Sequence, residues 1–168
     1  MAAGTLFTED FLAEGITGSA AWQDLADADV ETTRQRIRSI FDAVANPATL
    51  NEAQTQHRII EPILAELGWT GALDVQTNLE RRGRANVPDY SFFATPEAFT
   101  TSQTADGFDG RIRHAVAIGD AKAWSIGLDQ SGGGAGTGET PSSQLIRYLN
   151  RAETVSNRSV RWGILTNG

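Results

Sequence analysis

The 168-residue chain contains no cysteine. That one absence excludes disulfides, Cys-ligated zinc, iron–sulfur clusters and thiol nucleophiles together. Lysine is almost missing as well: thirteen of the fourteen basic residues are arginine, and Lys122 is the single lysine. An ammonium is a compact point charge that a guanidinium does not replace, so Lys122 invites a functional explanation, although chance explains one survivor equally well. No apolar run approaches the roughly 20 residues of a membrane span. The start, Met1-Ala2-Ala3-Gly4, lacks the basic-then-apolar order of a secretory leader, so a cytoplasmic protein with no membrane partner is expected. Walker A, Asp/Asn-Pro-Pro-Tyr and strand-following glycine-rich cofactor motifs are also absent, which excludes an ATP-driven translocase or a methyltransferase within these residues. His57 and His114 are isolated and lack metal-ligand spacing, which leaves them structural or solvent roles.

What is present suits one globular domain with a small helical annex, large enough to bury about 70% of its unfolded surface without staples. The net charge of −7 is unevenly placed. Residues 1–33 hold seven acids and no Lys or Arg, whereas the remainder balances fourteen acids against fourteen bases. The acidity therefore belongs to an N-terminal segment and does not exclude a polyanionic partner for the rest. These residues alone lack the clustered positive charge of a tight DNA grip.

Apolar spacing predicts helices over 5–45, with Thr8 or Asp29 as caps and Val30, Ile37, Ile40, Phe41 and Val44 on one face. Residues 1–48 are read as an acidic helical extension and 49–168 as the core. The core opens with a helix capped by Asn51, striped by Ile59, Ile60, Ile63, Leu64 and Leu67, kinked at Pro62 and ended by Gly68. Strands follow over 72–80, 87–93, 115–124 and 160–166, and a helix capped by Thr140 precedes the last. The polar stretch 94–113 reads as a long hairpin connection, and the glycine-rich 131–138 as a linker. Trp22, Trp69, Trp124 and Trp162 read as core anchors. The fold class is α/β, a small mixed sheet flanked by helices in the order α-β-β-β-α-β.

The third strand carries the chemistry. Alternation puts Val116, Ile118, Asp120, Lys122 and Trp124 on one face, and the small residues Ala115, Ala117, Gly119, Ala121 and Ala123 on the other, where a helix can pack closely. Charges on such a strand are costly unless paired or metal-bound. A strand emerging into solvent at Asp120 fits the same pattern. Asp89, near the start of the second strand, adds another carboxylate on an adjacent strand. Asp89 and Asp120 can then share a hard divalent cation, with the Ala121 backbone carbonyl as a further oxygen ligand. Lys122 beside it can stabilise charge on a phosphoryl oxygen.

Pro88-Asp89 with Asp120-Ala121-Lys122 resembles the PD-(D/E)xK nuclease motif, with Asp where Glu is commoner. Asn51–Gln56, Ile60–Leu64 and Leu67-Gly68-Trp69 resemble the first nuclease helix of restriction enzymes, and Gln144–Tyr148 resembles the QxxxY element that follows the catalytic strand. Trp162–Gly168 is similar to a stretch of single-chain restriction–modification proteins, and the likeness spans residues 6–168. The resemblance implies a restriction-endonuclease-like fold and a Mg2+-dependent DNA endonuclease of a restriction–modification or phage-defence system, with Mn2+ able to substitute. It implies Asp89 and Asp120 as metal ligands, Lys122 in the active site, and Glu52 touching the metal through water. Helical spacing places Glu52 and Gln56 on the buried side with Ile59 and Ile63; Glu52 equally suits the first helical turn for its dipole alone. Gln144 and Tyr148, four apart, can support Lys122 or contact DNA, or be a surface Gln and a half-buried core Tyr. Double-stranded DNA is the expected substrate, with dimerisation on it. The end at Gly168 leads us to expect an N-terminal piece of a longer protein, with methyltransferase and target-recognition domains beyond. A catalytically silent scaffold and a repair or junction nuclease are the rival expectations.

Overall fold

Four strands form one open mixed sheet in the computed structural model, which describes residues 8–75, 87–129 and 139–168. They are β1 (Leu73–Val75), β2 (Tyr90–Phe93), β3 (Ala115–Ala121) and β4 (Trp162–Thr166), ordered β1-β2-β3-β4. β2 runs antiparallel to β1 and β3, and β4 runs parallel to β3. The expected first strand is seen as far as Val75, and its continuation over 76–80 lies outside the described residues, as does the expected linker 131–138.

The chain divides into two compact units between Ser39 and Ile40. In the first, the Thr8 hydroxyl accepts the Phe11 N–H, as a capping residue should. Ser19 likewise caps α1 (Ala20–Gln23) by accepting from Trp22 N–H. Asp27 and Asp29 both lie in the first turn of α2 (Asp27–Asp42), where their charge suits the helix dipole. Asp29 is therefore not the cap expected of it: its own N–H already donates to the Ala26 carbonyl.

In the second unit, Asn51 and Gln54 form a reciprocal capping box in front of α3 (Glu52–Thr55). A π turn (Gln56–Ile60) joins α3 to α4 (Glu61–Glu66), and Gly68 takes a left-handed φ of 90° just beyond. Pro62 falls in the first turn of α4, where a missing N–H is least harmful, and the π turn before it absorbs the change in register. The stretch 94–113 does connect the antiparallel pair β2 and β3, as a hairpin connection should, but it is helical. It folds as α5 (Pro96–Ser102), capped by Thr95, and α6 (Gly107–Ile112), which buries Ile112 against the sheet. α7 (Pro141–Val155), capped by Thr140, makes the crossover that a parallel β3–β4 pair requires.

Apolar side chains pack on both faces of the sheet. Ile118 meets Leu145, Tyr148 and Ala152 of α7 on one side; Ala117 and Ala121 lie with Tyr90, Phe92 and Ile60 on the other. The small residues of β3 thus do face a helix. The expected alternation fails at one end, because the register shifts between Phe92 and Phe93: Ala115 joins Ile118, and Val116 joins Ala117. Trp69 packs edge-on against Phe92 and Trp124 against Phe41, but Trp22 and Trp162 are exposed and anchor nothing in the core. Among the described residues, no helix is long and apolar enough to cross a membrane.

Ile118 is fully buried between β3 and α7. Its replacement by alanine is expected to cost about 2–5 kcal/mol of unfolding free energy, measured by urea denaturation, while Ile146→Ala on the exposed side of α7 should change little.

Candidate functional site

The pairing of Tyr90 with Gly119 brings Asp89, one residue earlier, level with Asp120, one residue later on the antiparallel strand. β2 begins only at Tyr90, and Asp89 Oδ2 accepts the Ala121 N–H at 2.8 Å, continuing the ladder with a side chain. β3 ends at Ala121, short of the expected Trp124. Just beyond it the Lys122 N–H donates to the Thr166 carbonyl at 2.9 Å, which holds the lysine backbone against β4. Its ammonium lies 2.5 Å from Asp120 Oδ2.

The strand does not emerge into solvent at Asp120. Asp120 is only 2% exposed and Lys122 8%, so the pair is a buried one. Asp120 Oδ2 approaches Lys122 outside hydrogen-bond geometry and accepts no hydrogen bond among the described residues. Burial is the main cause that pushes the Asp89 carboxyl up to about 6, with the negative charges of Asp120 and Glu52 adding to it against the Ala121 N–H and Lys122. Burial also raises Asp120, opposed chiefly by the Lys122 ammonium and further by Asp89 and Arg147. Burial alone would lower Lys122, but Asp120 outweighs it, aided by Glu52 and Asp89, and the ammonium is held above its ordinary value. Both carboxyls are therefore driven toward the neutral form, because one ammonium does not balance two carboxylates there.

Glu52 is exposed at the start of α3, not on a buried face; the inward residues there are Thr55, Ile59 and Ile60. Its charge nevertheless bears on Asp89 and Lys122. Gln56 is half-buried. Gln144 Nε2 donates to Tyr148 Oη at 2.6 Å, so the hydrogen bond between these two is with each other and not with Lys122, and Tyr148 is a buried core residue, not a half-buried one. Ala121 meets Asp89 through its N–H. His57 is exposed and pairs with Glu61.

Three residues at the site carried no expectation. Arg147, inside the Gln144–Tyr148 stretch, favours the ionised form of Asp120 from α7. Tyr90 is buried with no hydrogen bond to its Oη among the described residues; burial, then Glu61, Asp89, Glu52 and Asp120, hold its phenol above the ordinary range. Thr55 is fully buried, and its hydroxyl accepts the Trp124 N–H at 3.2 Å. A β-branched polar residue four positions after an N-cap was the available signal, since such a hydroxyl bonds the carbonyl one turn back.

Among the described residues no three His, Asp or Glu side chains converge as a metal cage. Magnesium, however, is commonly held by one or two carboxylates, with water and substrate oxygens completing its shell. A buried carboxylate, Asp120, beside a second carboxylate whose proton affinity is raised fits that donor set, with the Lys122 ammonium now against the Asp120 oxygen.

The raised Asp89 value has a definite sign in stability. Its folded value lies above the unfolded one, so its contribution is full below 3.8 and lost as pH rises through about 6. Metal-free protein should lose about 1 kcal/mol more unfolding free energy than Asp89→Asn between about pH 5 and about pH 7.5. Parallel pH profiles for the two proteins would show that Asp89 is not perturbed.

No protein-family model, curated protein or solved structure matches the chain, so a functional reading rests on the chemistry of its own residues.

Proposed function

We propose that the second unit is a Mg2+-dependent endonuclease domain of restriction-endonuclease-like fold, hydrolysing DNA phosphodiesters in a bacterial restriction–modification or phage-defence system. The observation that carries this reading is the convergence of half-buried Asp89 with the buried Asp120 and Lys122 at one end of adjacent strands, in the order of the PD-(D/E)xK motif. Asp89, Asp120 and the Ala121 carbonyl would hold the cation, with Mn2+ able to replace Mg2+. When bound, it supplies Lewis acidity toward a phosphoryl oxygen and makes water more acidic.

The chain's own residues supply the rest. The Lys122 ammonium, kept charged by its acidic neighbours, meets negative charge growing on the phosphoryl group. Burial of the cluster strengthens every charge interaction in it. Glu52 adds negative charge at the helix start for the cation's outer shell. Gln56, and the Gln144–Tyr148 pair on α7, support the site or meet DNA. Double-stranded DNA is the substrate, dimerisation on it accounts for cutting both strands, and methyltransferase and target-recognition domains would provide sequence choice. The short Lys122–Asp120 pair favours one second reading, a silent scaffold in which the ammonium permanently occupies the cation's place.

Calorimetric titration with Mg2+ or Mn2+ separates the two readings. Saturable binding is expected in the wild type, lost in Asp89→Ala. Lys122→Ala should still bind metal while plasmid cleavage falls about 100-fold or more. A wild-type protein that binds neither ion would sink the nuclease reading.

A further inference from the structure

Thr55 is a buried polar residue of the second unit. It sits at the end of α3 with none of its surface exposed, yet carries a hydroxyl. That hydroxyl is used twice. It donates to the Asn51 carbonyl at 2.9 Å, one helical turn back, and accepts the Trp124 N–H at 3.2 Å. The first bond fixes the rotamer and so aims the oxygen at the second. Asn51 is the residue before Glu52, and Trp124 is the second residue after Lys122. One oxygen atom therefore ties the turn that bears Glu52 to the segment that bears Lys122, across 69 positions of sequence.

The far side of that segment is held separately. Asn167 Nδ2 donates to the carbonyls of Trp124 and Ile126, and the Lys122 N–H is taken by Thr166. The Trp124 backbone is thus held at its carbonyl by the residue after β4 and at its N–H by Thr55. Removing the Thr55 hydroxyl leaves the β4 grip in place and frees only the tie to α3. The helix start would then lose this hydrogen bond to the segment that follows the strand.

We infer that Thr55 is a positioning residue: it sets the placement of Glu52 relative to Asp120 and Lys122, and through it the affinity of the site for a divalent cation. The inference rests on the metal-dependent reading above. Groups that orient metal ligands without touching the metal typically change affinity 10- to 100-fold when removed.

The test uses the full chain with Thr55→Val, which keeps the shape and removes the hydroxyl, Thr55→Ala, and Thr55→Ser, which restores the hydroxyl. Two quantities are read: Mg2+ affinity by calorimetry and amide hydrogen exchange at Trp124 in metal-free protein. Thr55→Val and Thr55→Ala should weaken Mg2+ binding about tenfold and deprotect the Trp124 amide, while the amides of Ser91 and Ile118 stay protected. Thr55→Ser should return both quantities to wild-type values. Unchanged Mg2+ affinity in the Val and Ala variants overturns the inference, as does equal weakening in Thr55→Ser. Failure of both hydroxyl-less variants to fold would assign Thr55 to the stability of the fold and overturn it too. Absence of Mg2+ binding in the wild type would instead strike the metal-dependent reading, and Trp124 exchange would still report on the tie itself.

Discussion

Two carboxylates and one ammonium share a site from which water is largely excluded. Unit charges about 4 Å apart interact by about 4 kcal/mol at an effective dielectric of 20, and one ammonium cannot neutralise two carboxylates. The local architecture answers that imbalance. Asp89 gives one oxygen to the Ala121 N–H, Lys122 is turned inward toward Asp120, and Arg147 adds positive charge from α7. The ammonium alone does not balance two ionised carboxylates, and Arg147 acts on Asp120 through its charge. A cluster built only for stability would be better served by apolar residues of similar size, because burying ions rarely repays its desolvation.

Much of the frame was legible in the sequence because it depends on local rules. The Asn51 cap, the left-handed Gly68, the Thr140 cap before Pro141 and the small residues of β3 each follow from a steric or hydrogen-bonding preference of one residue type. What misled was tertiary. The 94–113 stretch is polar enough to read as a loop, but Thr95 and Pro96 start a helix, and Ile112 finds a buried place only once the sheet is formed. The change of face at Ala115 and Val116 comes from a register shift against β2 that no single-strand pattern reveals.

The site itself was partly legible. Asp89, Asp120 and Lys122 stand out because charges are rare on apolar strands, and the structure brings those three together. Glu52 was placed on a buried face by a regular helical period, but it opens α3 and faces solvent there. Gln144 and Tyr148 share a face as their spacing requires, but satisfy each other. Thr55 and Asn167 escaped notice because their importance lies in contacts to a segment far away in sequence.

The most direct measurement is anomalous diffraction from crystals soaked in Mn2+. A manganese peak is expected between the Asp89 and Asp120 carboxylates, absent from crystals of Asp120→Asn. A wild-type map with no peak there, and with Lys122 still closed on Asp120, would contradict the metal-dependent reading.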